Sequence, residues 1–106
     1  MNEHHFPAVG QTYEADFGDF AFRLKFDTDG KTMRFEMASA PDFAHAQAVT
    51  YRAIGVRTDI FLVTWKEADG TTVTHLEDFG AERVHTNITQ PDLTFLNLQG
   101  SWKRID

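Results

Sequence analysis

Between Phe20 and Met37 the chain reads FAFRLKFDTDGKTMRFEM. Apolar residues occupy every second position on both sides of Asp29-Gly30, a dipeptide that is typical of two-residue hairpin turns. Successive side chains of a strand point to opposite faces, so this alternation predicts two half-buried strands. A two-residue turn places apolar residues opposite one another in three cross-strand pairs: Phe26 with Met33, Leu24 with Phe35, and Phe22 with Met37.

Similar alternation, separated by turn residues, continues along the whole chain. It predicts eight strands, near residues 10–17, 19–27, 31–38, 47–56, 59–67, 71–79, 82–89 and 93–105. Eight short strands with tight connections favour an all-β fold, a single small up-and-down antiparallel β-barrel, because closure removes exposed sheet edges.

Two segments lie outside this pattern. Residues 39–47 are expected to form one short helical turn between the third and fourth strands, with Ser39 as its cap and Pro41 in its first turn. Whether that turn covers one end of the barrel as a lid is left open. Residues 1–9 are expected to form a flexible leader before a domain that spans residues 10–106.

Composition restricts the classes of function. A chain of 106 residues fits one domain. Its 16 acidic and 10 basic residues give a net charge of −6, which argues against nucleic acid or an anionic membrane as a partner. The chain has no cysteine, so disulfides and thiolate chemistry are excluded. No apolar run approaches the roughly 20 residues of a membrane span, and we expect a cytoplasmic protein.

The hairpin at Asp69-Gly70 determines which polar groups lie inside the barrel. A three-residue loop with Gly70 at a left-handed bulge position gives the more consistent apolar face. It pairs Trp65 with Val73, Val63 with His75, and Phe61 with Glu77. A turn at Gly80-Ala81 then adds Val84, Thr86 and Ile88 to the same face. The predicted interior is therefore mostly apolar and aromatic, with His75 and Glu77 among the rings.

These residues suggest a ligand site. The candidate ligand-binding residues are Trp65, Tyr51, His75, Glu77 and Tyr13, which together suit a small, partly aromatic molecule. A desolvated Glu77 beside His75 is also a possible acid/base pair, because burial raises a carboxyl pKa and a neighbouring cation lowers it. In the structural alternative, both side chains face solvent or pair at the barrel rim. No catalytic residue and no cofactor is assigned.

Other site types have weaker support. His75 and His85 fall on opposite faces, and no histidine pair has metal-ligand spacing, so no metal site is predicted. Neither Ser39 nor Ser101 lies in a Gly-x-Ser-x-Gly motif. Three outward-facing apolar residues on adjacent strands are either ordinary surface or the face of a homodimer: Ile60, Leu62 and Leu76.

Five segments in order carry a resemblance to a known family: Gly10–Gly18, Val49–Val56, Ile60–Trp65, Val73–Phe79 and Val84–Thr89. The chain resembles the MoaF-like domain family, named for a protein associated with molybdenum cofactor biosynthesis. The resemblance implies a calycin-type barrel, related to lipocalins and phenolic acid decarboxylases, but supplies no agreed catalytic residues. The decarboxylases use paired tyrosines, whereas the first strand of this chain carries only Tyr13, so that activity is not carried over.

Three functions remain open from the sequence. The first is a small-ligand-binding barrel. The second is a small lyase or isomerase that uses Glu77 or His75. The third is a packed dimerisation domain with no ligand.

Overall fold

The computed structural model describes residues 5–40 and 42–106 and shows an all-β barrel. All eight predicted strands form, and each pairs antiparallel with its neighbours in chain order until β8 closes against β1. Among the described residues no helix is long and apolar enough to span a membrane. The strands are β1 (Thr12–Asp16), β2 (Ala21–Phe26), β3 (Thr32–Met37), β4 (Gln47–Arg57), β5 (Ile60–Lys66), β6 (Thr72–Asp78), β7 (Arg83–Thr89) and β8 (Phe95–Arg104).

Both predicted hairpin registers are confirmed. In β2–β3, Phe26 lies opposite Met33 and Leu24 opposite Phe35. The carboxylate of Asp29 fixes this turn, because it accepts hydrogen bonds from the Thr32 hydroxyl and from the backbone N–H groups of Lys31 and Thr32. These bonds lower the pKa of Asp29 to about 2. In β5–β6, the three pairs predicted around the Gly70 bulge all form.

The barrel has two different ends. At one end β1 connects to β2, β3 to β4, β5 to β6, and β7 to β8, and we call this the open end. We call the opposite end the closed end. The segment that precedes β1 and the residues that follow β8 lie at the closed end. Inward-facing side chains fill the space between them, and the largest fully buried ones are Trp102, Phe26, Leu24, Met33 and Glu77.

The N-terminal segment plugs the closed end. The centre of the Phe6 ring lies 5.3 Å from the rings of Phe26 and Phe61, and 5.7 Å from those of Tyr51 and Phe79. Ala8 is completely buried. Residues 6–8 belong to the segment expected to form a flexible leader, and here they pack against the barrel end, because an apolar ring that covers this end gains more by burial than by exposure. Residues 1–4 of that prediction lie outside the described residues.

The β3–β4 connection packs on the outside of the barrel wall. The guanidinium of Arg23 donates to the carbonyl oxygens of Ala38 and Ala40 and lies 5.9 Å from the centre of the Phe43 ring. In place of the expected helical turn there are two separate turns. The N–H of Ala40 donates a hydrogen bond to the carbonyl oxygen of Met37 in the first, and the N–H of Ala46 donates to the carbonyl oxygen of Phe43 in the second. Pro41, part of that prediction, lies outside the described residues.

The seam between β1 and β8 needs a glycine. A Cβ added at Gly100 would lie 1.9 Å from the carbonyl oxygen of Asp16 and 3.1 Å from the Cα of Phe17. No real Cβ approaches a backbone atom so closely. Glycine at position 100 therefore allows β1 and β8 to pair this closely.

Candidate functional site

A cavity of about 50 Å³ lies inside the open end. Its lining is largely apolar and aromatic, with two polar side chains, His75 and Glu67. Several lining residues at the mouth are only partly buried, so the cavity is reached from this end. The residues that line it are Ala15, Phe17, Phe22, Leu24, Phe35, Trp65, Glu67, Val73, His75 and Ile88.

A buried histidine–carboxylate pair lies at the inner side of this cavity. Nδ1 of His75 is 2.9 Å from Oε2 of Glu77, and the side chains are 5% and 0% exposed. The two residues are two positions apart on β6, so both point inward. Burial raises the pKa of Glu77 above its ordinary value, although the hydrogen bond and charge of His75 oppose that effect.

Two indole rings hold the His75 ring in place. Its centre is 4.8 Å from the Trp65 ring and 5.9 Å from the Trp102 ring, both in edge-to-face geometry. His75 lines the cavity, whereas Glu77 does not. Glu77 is the partner of Nδ1, so Nε2 is the ring nitrogen that this carboxylate leaves free.

Several buried polar atoms near this pair lack a hydrogen-bond partner among the described residues. Thr86 lies directly across from His75 on β7, and Trp102 contacts the His75 ring. Burial raises the pKa of Tyr51 to about 12, and the charges of Asp29 and Glu77 add to that rise. The unpartnered atoms are Oε1 of Glu77, the Tyr51 hydroxyl, Oγ1 of Thr86 and Nε1 of Trp102. Such groups are normally satisfied in folded proteins, so the barrel interior around this pair is more polar than a plain apolar core.

Glu67 stands at the cavity rim, and the sequence prediction missed it. Its Oε2 accepts a 3.3 Å hydrogen bond from Nε1 of Trp65. Burial raises the pKa of Glu67, while the indole N–H of Trp65 lowers it. The available signal was spacing, since Glu67 follows Trp65 by two residues and so shares its face. Its closeness to the Asp69-Gly70 turn obscures that signal in the sequence.

The structure separates the five predicted ligand residues into two groups. Trp65 and His75 line the cavity, and Glu77 lies directly behind His75. Tyr51 and Tyr13 lie nearer the closed end. The Tyr51 ring packs 5.2 Å from Phe26.

Tyr13 belongs to the closed-end aromatic cluster. Its ring stacks on Trp102 at 4.8 Å and meets Phe79 edge-on at 5.3 Å. Burial raises its pKa. In the structure Tyr13 is therefore part of the packing rather than of the cavity wall.

The histidines do not converge. His85 is exposed on the outer face of β7, opposite Leu76, whereas His75 is buried inside. Among residues 5–40 and 42–106 there is no group of three or more His, Asp or Glu placed to hold a metal ion.

A match to a known protein family covers almost the whole barrel. The profile of the MoaF-like family matches residues 9–103, which include all of the cavity and the His75–Glu77 pair. The chain belongs to the MoaF-like family. No curated protein matches it.

A crystal structure from Burkholderia vietnamiensis has the same fold as this MoaF-like chain. It is described as a "putative beta-lactamase", with a TM-score of 0.87 and 30% sequence identity. The match covers 97% of the MoaF-like chain and 100% of the Burkholderia chain. The similarity therefore extends from the cavity through both barrel ends.

Proposed function

We propose that this MoaF-like barrel binds a small, partly aromatic molecule in its open-end cavity. The observation that carries the proposal is an aromatic cavity with a buried His75–Glu77 pair at its inner side. Ligand sites are commonly apolar concavities with a few convergent polar groups, which describes this arrangement. Cytoplasmic location, expected from the sequence, stays part of the proposal.

The cavity size defines how such a molecule sits. Its volume of about 50 Å³ is roughly a third of the ~150 Å³ apolar cavity that accommodates benzene. A ring therefore enters by displacing the partly exposed side chains at the mouth, Phe17, Phe22 and Phe35. The polar edge of the ligand then meets His75 or Glu67, and the remainder stays near the mouth.

The test uses indole and phenol as single-ring probes. Nuclear magnetic resonance titration is expected to show saturable shifts of the Trp65 indole N–H, and the melting temperature is expected to rise, because a ligand of the native state stabilises it. Ile88→Trp fills the mouth and is expected to abolish both effects. Phe95→Trp, which adds the same indole at a residue that is 59% exposed outside the cavity, is the control. Absence of saturable shifts with either probe would contradict the proposal.

The proposal does not extend to β-lactam hydrolysis, the activity in the description of the Burkholderia vietnamiensis structure. Serine β-lactamases use a Ser-x-x-Lys motif. The two serines of this chain, Ser39 and Ser101, are followed three residues later by Asp42 and Arg104.

An acid/base enzyme is the second candidate, and one observation favours it. His75 lines the cavity while Glu77 is paired with its Nδ1, the arrangement in which a carboxylate orients a proton-transferring imidazole. His75 is then the catalytic group of a lyase or isomerase, and Glu77 is a positioning residue. A turned-over ligand is expected to lose orders of magnitude in kcat in His75→Gln with binding retained. Unchanged turnover in that variant would exclude this candidate.

A homodimer is the third candidate. Ile54, Leu62 and Leu76 form one cross-strand row on the outside of β4, β5 and β6, and Ile54 and Leu76 are 50% and 38% exposed. Ile60 lies two residues before Leu62 on β5, so its side chain points to the same outer face. Light scattering after size-exclusion chromatography is expected to show a dimer that Leu62→Lys converts to a monomer. An identical mass for the two proteins would exclude this interface.

A further inference from the structure

The polar group at the cavity mouth is a hydrogen-bond acceptor, the carboxylate of Glu67. Nε1 of Trp65, the donor at the mouth, is already used by Glu67. The carboxylate of Glu67 retains capacity to accept further hydrogen bonds, since each ionised carboxylate has about four lone-pair sites. The mouth therefore offers a ligand a carboxylate acceptor beside the Trp65 indole.

His75 is the second polar residue that lines the cavity, and it is more deeply buried than Glu67. Its Nδ1 lies 2.9 Å from Oε2 of Glu77, so this nitrogen is already engaged inside the barrel. The carboxylate of Glu67 is therefore the acceptor that a ligand meets first at the mouth.

The loops around the open end add negative charge. Residues 17–20, 38–46, 67–71 and 90–94 connect the strands at this end, and they contain five carboxylates and no lysine or arginine: Asp19, Asp42, Glu67, Asp69 and Asp92. Hydrogen bonds from Thr71 and Thr94 lower the pKa of Asp69 and of Asp92, so both stay ionised.

Three cations lie near this rim on the outer side of the strands. Arg23 donates to the carbonyl groups of Ala38 and Ala40. Nζ of Lys25 lies 5.9 Å from the centre of the Phe43 ring. Lys66 is exposed at the end of β5, with its neighbour Trp65 on the opposite, inward face. The connections themselves carry only negative charge among Lys, Arg, Asp and Glu, and negative charge beside a low-dielectric cavity attracts cations.

We propose that the ligand class of this site is the aromatic organic cation, such as an aryl-alkyl amine. Its ring enters among Trp65, Phe22 and Phe35, and its ammonium group donates to Glu67 beside the indole of Trp65. This inference rests on the proposed function, since it names the molecule that the cavity takes.

The experiment compares three probes of nearly equal size: benzylamine, benzyl alcohol and benzoate. They are titrated into the intact protein, and binding is followed by the Trp65 indole N–H signal. Benzylamine is expected to bind about fivefold more tightly than benzyl alcohol at low salt, and benzoate more weakly than either. Salt at about 0.5 M is expected to remove most of that difference, because exposed charges are screened.

Two variants locate the effect. Glu67→Gln keeps the shape of the side chain and is expected to reduce the preference for benzylamine to about twofold or less. Glu82→Gln removes the same charge from an exposed position at the closed end and is expected to leave the preference unchanged. Equal losses in the two variants would show that only net charge matters and would overturn the assignment of the ammonium group to Glu67.

The outcomes separate this inference from the proposed function. Saturable binding of all three probes with equal affinity, or a preference for benzoate, would overturn the cation assignment and leave the binding site intact. No saturable Trp65 shift with any probe would contradict the proposed function itself. A benzylamine preference that Glu67→Gln removes supports both.

Discussion

The two ends of this barrel are built from the same strands and yet hold different interiors. At the closed end, Phe6 folds inward and brings its ring against Phe26, Phe61 and Phe79. At the open end, the partly buried rings of Phe17 and Phe35 surround a cavity instead. One end is closed by an apolar segment from outside the sheet, whereas the other is bordered by the four connections between strands.

The comparison shows where this small barrel keeps unfilled space. An eight-stranded barrel is only just wide enough for its own side chains, so a cavity arises where no additional segment supplies a ring. The His75–Glu77 pair lies between the two regions, with His75 at the cavity and Glu77 completely buried. Substitutions in each region test this division, beginning with the wall that both ends share.

The largest expected effect is at the seam. Gly100→Ala places a methyl group 1.9 Å from the carbonyl oxygen of Asp16, so the backbone of β1 must move away from β8. We expect a loss of about 3 kcal/mol or more in the free energy of unfolding, measured by urea denaturation with tryptophan fluorescence. Gly80→Ala is the control, because its added methyl comes no nearer than 3.4 Å to a side-chain atom. Equal stability of the two variants would contradict this account of the seam.

The second test compares one phenylalanine from each end. Phe6→Ala removes a ring with four aromatic neighbours and is expected to cost about 2 to 3 kcal/mol of stability. Phe17→Ala, at the cavity mouth, is expected to cost about 1 kcal/mol or less, because its ring covers a space that is already incompletely filled. Thermal and urea unfolding of both variants measure the difference. A larger loss at Phe17 would reverse the assignment of closed and open ends.

The third test concerns the pair between the two regions. The folded-state pKa of Glu77 is raised above the ordinary 4.5, so the folded protein holds this proton more tightly than the unfolded chain does. Wild-type stability relative to Glu77→Gln is therefore expected to be highest below about pH 4.5 and to fall as pH rises through the folded pKa. The stability difference between the two proteins changes by at most about 1.4 kcal/mol per pH unit, because one proton is involved. Urea unfolding of both proteins from pH 4 to 8 measures it, and a pH-independent difference would contradict burial as the cause of the raised pKa.

The smallest expected change in the free energy of unfolding comes from a substitution at the cavity rim. Glu67→Gln replaces a half-buried carboxylate that has one long hydrogen bond to Trp65. We expect unfolding free energy to change by no more than about 0.5 kcal/mol at neutral pH, in contrast to the closed-end variant Phe6→Ala. A loss above about 2 kcal/mol would mean that Glu67 supports the fold rather than the mouth of the cavity.

Much of this fold was predictable because its signals are local. Apolar alternation and turn residues placed the eight strands, and apolar pairing across Asp29-Gly30 and around Gly70 determined both tested registers. The same registers predicted that His75 and Glu77 face the interior, which the structure confirms. These predictions succeeded because each depends on residues that are close in sequence. A shift of one residue in a strand register would have moved every side chain of that strand to the opposite face.

What the sequence did not reveal depends on contacts between distant residues. Nothing in residues 1–9 alternates, so the packing of Phe6 into the barrel end had no local signal. Gly100 resembles any strand glycine until β1 is placed against it. Glu67 resembles a turn residue in the sequence, and its role at the mouth follows only from the geometry of Trp65.

The seam also has a consequence for how quickly the chain folds. Seven of the eight strand pairings join consecutive strands, which short hairpins can form early. The eighth joins Tyr13 to Arg104, residues from nearly opposite ends of the chain, and so requires the largest loop-closure entropy. Non-local pairings of this kind slow folding. Closure at Gly100 is therefore expected to be the rate-limiting step, and the cavity takes shape only when that step is complete.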